Sequence, residues 1–287
     1  MIHLGLAELA SSALRHGARA RRLRRDPRRV SVAIPTFNRA GRVLSLVPRL
    51  LRDARIGEIV VRDDASAPAD AARLQAGLAP YAPRVRLARG ARNLGAFGNK
   101  LAAVADCRNE WAVLLDSDNR IGPDYLDAFF ALPAWSARAV YSPPRARPRF
   151  DFRFLAGAVL DLDAAGGLVA GARADALSVF LNTGNYVVPV RAYVERLTPY
   201  ADRRPAGADV FFANLAWLRG GGLLVVVPGM DYDHDVHEGS WFLETAAESK
   251  ALIRAMRDAL ASRDPARVDA VLRDAARAPA AGPEAAP

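Results

Sequence analysis

Asp116-Ser117-Asp118-Asn119 sets two carboxylates two residues apart, directly after the apolar run Trp111-Ala-Val-Leu-Leu115. An apolar run of this length, bounded by turn residues, predicts a buried strand. Side chains on a strand alternate faces, so Asp116 and Asp118 share a side if the extended geometry persists through them. Two carboxylates held together at a strand tip repel unless a proton or a cation stands between them. A hard divalent ion carrying a substrate phosphate meets that demand. The plain alternative is a solvated turn with Asn119 as a helix cap, since Asp and Asn are ordinary turn residues.

Other clusters with chemical potential end or open predicted elements. Pro35-Thr36-Phe37-Asn38 follows Val30–Ile34, and Asp63-Asp64-Ala65-Ser66 follows Ile59–Val61. Asn93-Leu94-Gly95-Ala96-Phe97-Gly98-Asn99 is a Gly-rich turn opening a helical stretch, where free backbone N–H groups can approach an anion. Its spacing is neither a P-loop nor a dinucleotide fingerprint. Asp209 heads the apolar helical stretch Asp209–Arg219, as a reactive carboxylate or as the N-cap that helices favour. His234 and His237 lie three apart among carboxylates, as metal ligands or as exposed loop histidines.

Alternating segments must position these groups. Val30–Ile34 reads as a strand stopped by Pro35, Arg39–Arg55 as an amphipathic helix on Val43, Leu46, Leu50 and Leu51, and Ile59–Val61 as the next strand. Helical Ala67–Leu78, strand Val85–Leu87, helix Gly95–Ala105 and strand Trp111–Leu115 continue the series, with a further strand at Leu223–Val227. Strands and helices taking turns predict a largely parallel, doubly wound α/β sheet. Ligands of such sheets bind beyond the carboxyl ends of the strands, so the polar clusters after the strands face one crevice. Between Ser142 and Asn182, Arg145, Arg147, Arg149 and Arg153 interleave with Phe150, Phe152 and Phe154, as a flap or as an edge strand packed on the sheet.

The composition is that of a globular protein, 51% hydrophobic and 25% charged, and no apolar stretch approaches the roughly 20 residues of a membrane helix. Glu8 and the lack of a basic start make the opening a poor secretory signal. Cys107 is the only cysteine, which excludes an internal disulfide and fits a reducing, cytoplasmic setting. The net charge is +9, but eight arginines lie between Arg15 and Arg29 against Glu8 and Asp26, leaving roughly +3 for the rest. The arm therefore either meets anionic lipid at the inner face of a membrane or is an idle leader. No motif for nucleic acid accompanies it.

Val30-Ser-Val-Ala-Ile-Pro-Thr-Phe-Asn-Arg39, Glu58-Ile-Val-Val-Arg-Asp-Asp-Ala-Ser66, Asn93-Leu-Gly95, and Asp116-Ser-Asp-Asn119 with Pro123-Asp124 together resemble the family 2 glycosyltransferases of GT-A fold. The resemblance is close from Val30 to about Phe130 and looser as far as His237. It implies one GT-A (Rossmann-like) catalytic domain with a mostly parallel central sheet flanked by helices. The expected division is a basic arm at 1–29, the catalytic domain at 30–273 and a disordered tail at 274–287. Within the domain, 30–130 binds the nucleotide-sugar, 131–240 the acceptor, and 241–273 forms C-terminal helices.

The resemblance further implies transfer of a sugar, with inversion, from a nucleotide diphosphate donor to an acceptor hydroxyl. Pro35, Thr36, Phe37, Asn38, Asp64, Asn93, Gly95, Asn99, Asp116 and Ser117 would then line the donor site, with Asp64 accepting from a base N–H. Asp116 and Asp118 would be the family's metal pair for Mg²⁺ or Mn²⁺, completed by His237, with His234 as the fallback. Asp209 would be the general base, with Ala208 standing where the family usually has glutamate. A UDP-sugar donor and a glycan or lipid-linked acceptor in cell-surface polysaccharide synthesis follow from family habit. The absence of Gln-x-x-Arg-Trp after Asp209 favours one sugar per acceptor over processive synthesis. The rival readings are a nucleotidyltransferase and a catalytically silent binding protein on the same fold.

Overall fold

A computed structural model describes residues 23, 26, 28–235 and 245–275. Most of the basic arm and most of the tail lie outside the described residues. β1 (Val30–Thr36) and β2 (Ile56–Asp63) pair in parallel along nearly their whole length, with Thr36 opposite Asp63. β3 (Val85–Arg89) joins β2, and β4 (Trp111–Leu114) joins β1, both in parallel. The crossovers are α1 (Ala40–Leu50), α2 (Pro68–Leu78) and α3 (Gly95–Ala105). The carboxyl ends of these strands therefore share one edge, and each is followed by a polar cluster.

β1 runs through Pro35 rather than stopping there. Leu115 donates to the Ala33 carbonyl, and the β4 pairing ends at Ala33. Pro35 comes next on that same side, where no partner asks for the N–H that proline lacks.

After β5 (Arg120–Ile121) and α4 (Pro123–Phe130), the chain adds β6 (Ala139–Ser142), β7 (Arg145–Arg147), β8 (Phe150–Asp151) and β9 (Val159–Leu160). Next come α5 (Leu162–Val169), α6 (Ala174–Leu181), β10 (Val187–Pro189), α7 (Val190–Leu197), α8 (Asp209–Arg219), β11 (Leu223–Val226) and β12 (Tyr232–Asp233). α9 (Ala246–Ala261) and α10 (Pro265–Asp274) close the described chain. The large sheet has the order β3-β2-β1-β4-β10-β6-β11-β9. β10 and β9 run against the others, so the sheet is mostly parallel.

A smaller sheet, β5-β12-β7-β8, sits where the chain leaves the Asp118 turn. The Arg/Phe-interleaved stretch supplies its β7 and β8, and β8 is an edge strand of this small sheet rather than of the large one. The helices α5 and α6 in the same stretch are not visible in the residue pattern. Asp161 starts α5 by accepting from the Ala164 N–H at 2.8 Å.

The large sheet has a packed layer on each face. Val32, Ile34, Ile59, Val61 and Val113 meet Val43, Leu46 and Leu50 of α1 and Tyr125 and Phe129 of α4. The alternate residues Ala33, Val60, Ala112 and Leu114 meet α3 and α8. Every residue from Asp209 to Leu218 is buried, and Val210, Phe211, Phe212 and Trp217 are mediocre helix formers. Burial of each large side chain is worth about 1.5–3 kcal/mol, against propensity differences of about 0.7 kcal/mol or less. Packing, not propensity, therefore makes α8 helical, and it fixes Asp209 at the helix start.

Candidate active site

The ends of β1 and β2 are locked by their own polar side chains. The Ser66 hydroxyl accepts from the Asn38 N–H at 2.7 Å, and Asn38 Oδ1 accepts from the Ala67 N–H at 2.9 Å, tying the end of β1 to the start of α2. Asn99 donates to the Arg62 carbonyl at 3.1 Å. Thr36 is buried, and its carbonyl accepts from the Asp64 N–H at 2.9 Å. Phe37, by contrast, is 45% exposed, an uncovered aromatic face beside Pro35. Asn38, Ala65, Asn185 and Ala206 are non-glycine residues with positive φ at corners of this region. Such strain persists only where the surrounding structure holds it.

Asp64 is buried and accepts from the Leu94 N–H at 2.8 Å and the Gly95 N–H at 3.0 Å. The Gly-rich turn thus offers its amides to an anion, but the anion is the protein's own carboxylate. Gly95 has φ +77°, a conformation that favours glycine, and Asn93 Oδ1 also accepts from its N–H at 3.0 Å. Burial pushes the Asp64 carboxyl up to about 6, against the pull of the Leu94 and Gly95 amides and of Arg204 and Arg62.

β4 ends at Leu114, and the Asn119 N–H closes a turn onto the Asp116 carbonyl at 3.1 Å. Strand alternation therefore does not persist through Asp116 and Asp118, because the turn hydrogen bond curls the chain. Each carboxylate instead meets a cation. Arg39 reaches Asp118 at 2.7 Å, and Lys100 of α3 reaches Asp116 at 3.0 Å. The same Lys100 ammonium lies 2.9 Å from Asp209, across from the other half of the chain. The dipole of α8 favours Asp209 by about 0.3–2 kcal/mol, less than the several kcal/mol that burying a carboxylate costs. Lys100 supplies the remaining compensation. Burial works against its ammonium, but the charges of Asp116 and Asp209 more than offset that and hold its pKa above the ordinary lysine value.

Asn185 ties the third side of the site. Its Oδ1 accepts from the Asp116 N–H at 2.8 Å, and its carbonyl accepts from the buried Tyr125 hydroxyl at 2.6 Å. Ser117 is buried in the turn between the two carboxylates. His234 follows β12, and the Asp235 N–H donates to Asn119 Oδ1 at 3.2 Å, which joins that segment to the Asp118 turn. Burial lowers the His234 pKa, opposed by the charges of Asp116 and Asp118, so the imidazole favours its neutral, ligating form while lying near both. A groove of about 410 Å³ is lined there by Arg120, Arg147, Pro148, Asp233, His234 and Asp235. His237 lies outside the described residues.

Among the described residues no group of three His, Cys, Asp or Glu side chains is preassembled around a cation position. The donor set nevertheless fits a hard divalent ion. Asp116 and Asp118 offer carboxylate oxygens, and a substrate phosphate would supply the remaining oxygens and offset the neighbouring Lys100 and Arg39 charges.

Lys100, Arg39 and Asn185 are the residues that the sequence reading did not bring to the site. Lys100 left a trace, being one of two lysines in an arginine-rich chain. A compact ammonium with three donors can serve two carboxylates at once.

Residues 31–151 match the family model for glycosyl transferase family 2. Over 98 residues the chain is 35% identical to succinoglycan biosynthesis protein ExoO of Rhizobium meliloti, a match spanning 34% of this chain and 27% of that protein. The fold is similar to that of mannosyltransferase PcManGT from Pyrobaculum calidifontis in complex with GDP-Man and Mn²⁺. That likeness has a TM-score of 0.57 at 21% identity and covers 95% of this chain and 79% of the other. GalNAc-T7 with UDP, GalNAc and Mn²⁺ is similar with a TM-score of 0.58 at 16% identity, over 86% of this chain and 54% of that one. No helix of the described residues is long and apolar enough to cross a membrane.

Proposed function

Because the chain carries a glycosyl transferase family 2 domain on a GT-A fold, we propose that it moves a single sugar, with inversion, from a nucleotide diphosphate-sugar to an acceptor hydroxyl. The observation that carries this reading is the meeting of Asp116 and Asp209 on one ammonium. The carboxylate proposed to serve the donor and the carboxylate proposed to serve the acceptor are thereby gathered on one side chain, which supports their belonging to one site.

In this reading Phe37 and Pro35 flank the nucleotide base, and Asp64 accepts from a base N–H while the Leu94 and Gly95 amides hold its carboxylate. Asp116 and Asp118 would hold Mg²⁺ or Mn²⁺, with His234 or His237 as a further ligand. When bound, such an ion supplies Lewis-acid neutralisation of the departing diphosphate. Asp209 takes the proton from the acceptor hydroxyl, on the face of the sugar away from the leaving group, which is the arrangement a single inverting displacement requires. Lys100 keeps that carboxylate in place.

The structural relatives hold GDP-Man in one case and UDP in the other, each with Mn²⁺. The sugar is proposed to enter a cell-surface polysaccharide, in keeping with the succinoglycan relative, from a UDP-sugar donor. A thermal-shift screen of nucleoside diphosphates, with and without Mn²⁺, tests this. A selective, metal-dependent rise in melting temperature is expected. No stabilisation by any nucleoside diphosphate would remove sugar transfer from consideration.

A further inference from the structure

We propose that Lys100 closes the carboxylate site to a bare divalent cation and admits one that arrives together with a diphosphate. The Lys100 ammonium lies 3.0 Å from Asp116 and 2.9 Å from Asp209, with its side chain 15% exposed. It rises from α3, which packs on β1 and β2, so it belongs to the rigid frame of the site. Arg39 stands 2.7 Å from Asp118 and adds a second fixed positive charge beside the same pair. A divalent ion that settled alone on Asp116 would face the ammonium across a few ångströms of poorly screened space. A diphosphate changes the balance, because its negative charges attract the incoming ion and the ammonium alike. The charges present favour a site filled by ion and diphosphate together over one filled by the ion alone.

The diphosphate half of this inference rests on the sugar-transfer reading, whereas the bare-cation half does not. Titration calorimetry of MnCl₂ alone into wild type, Lys100→Met and Lys100→Arg, each checked for folding by circular dichroism, tests the second half directly. Lys100→Met is expected to bind bare Mn²⁺ about tenfold or more tightly than wild type, since one repelling unit charge is gone. Lys100→Arg keeps the charge and is expected to stay with wild type. A lysine that only braced the fold would loosen the carboxylates when removed, and Mn²⁺ would then bind no better.

Equal or weaker Mn²⁺ binding by folded Lys100→Met would overturn the proposal. Should that variant not fold, wild type decides. Its Mn²⁺ affinity is expected to rise about tenfold or more when UDP or GDP is present, and equal affinity with and without nucleotide overturns the proposal. Failure of every nucleoside diphosphate to bind would end the sugar-transfer reading, while the comparison of variants with Mn²⁺ alone would still judge Lys100.

Discussion

Lys100 on α3 and Asp209 at the start of α8 form a 2.9 Å ion pair that joins the N-terminal part of the chain to the helix that begins more than a hundred residues later. Asp209 is buried at the head of a helix whose remaining faces are packed in the core, so its carboxylate has little freedom to move. The N-cap position of α8 falls to Ala208, so Asp209 is the first helical residue and not the cap. The position therefore calls for a carboxylate for its charge rather than for capping.

Asp209→Asn keeps the shape and removes the proposed base. It is expected to leave nucleotide binding nearly unchanged while lowering kcat by about 10²–10⁴-fold, the usual contribution of a general base. Steady-state kinetics beside calorimetry of the donor separates the two quantities. A variant that loses stability but keeps its turnover would make Asp209 structural.

Asp118→Ala removes one carboxylate of the pair and leaves Arg39 without that partner. Because Arg39 and Asp118 are both partly exposed, the lost ion pair itself costs at most about 1 kcal/mol of stability. The functional loss is expected to be far larger, with metal-dependent turnover and donor hydrolysis falling below detection. Unchanged turnover at saturating Mn²⁺ would take Asp118 out of the cation site.

Gly95→Ala probes the turn that holds Asp64. A Cβ there would meet Arg204 only at 3.6 Å, so space is available, but φ +77° is strained for any side chain. A stability loss of about 1–2 kcal/mol is expected in urea unfolding, together with weaker nucleotide binding as the Asp64 carboxylate loses its amide donors. Full stability with full nucleotide affinity would show that the turn tolerates a side chain and that its glycine serves no binding purpose.

Much of the N-terminal half was legible in the sequence because it is built from local signals. Gly95–Ala105 and Asp209–Arg219 appear with the bounds read from residue patterns, and the polar cluster after each parallel strand lies at the shared edge. What stayed hidden depends on long-range packing. β10 runs antiparallel between β4 and β6, and no local pattern encodes which strands it joins. Asn185 reaches Asp116 across that same junction. α5 is Ala- and Gly-rich and α6 is only eight residues long, so neither shows the extended apolar stripe that reveals a helix. The bridging role of Lys100 needs two partners, Asp116 and Asp209, that only the fold brings together.

If Asp64 meets the nucleotide base as proposed, donor binding is expected to depend on pH. Burial raises its folded-state pKa to about 6, above the ordinary carboxylate value, so below that pH the folded protein takes up a proton that the unfolded chain binds less tightly. The group's contribution to stability is thus greatest at pH below the unfolded value and is lost as the pH rises through about 6. Its contribution to binding has the opposite sign, because only the ionised carboxylate keeps both backbone amides and still accepts from a base N–H. Affinity for an intact nucleotide-sugar, which has no terminal phosphate to titrate in this range, is expected to be flat above about pH 7. Below pH 6 it is expected to weaken, approaching about tenfold per pH unit. Calorimetry between pH 5 and pH 8 on the wild-type protein measures this, and a level affinity across that interval would show that Asp64 does not meet the base.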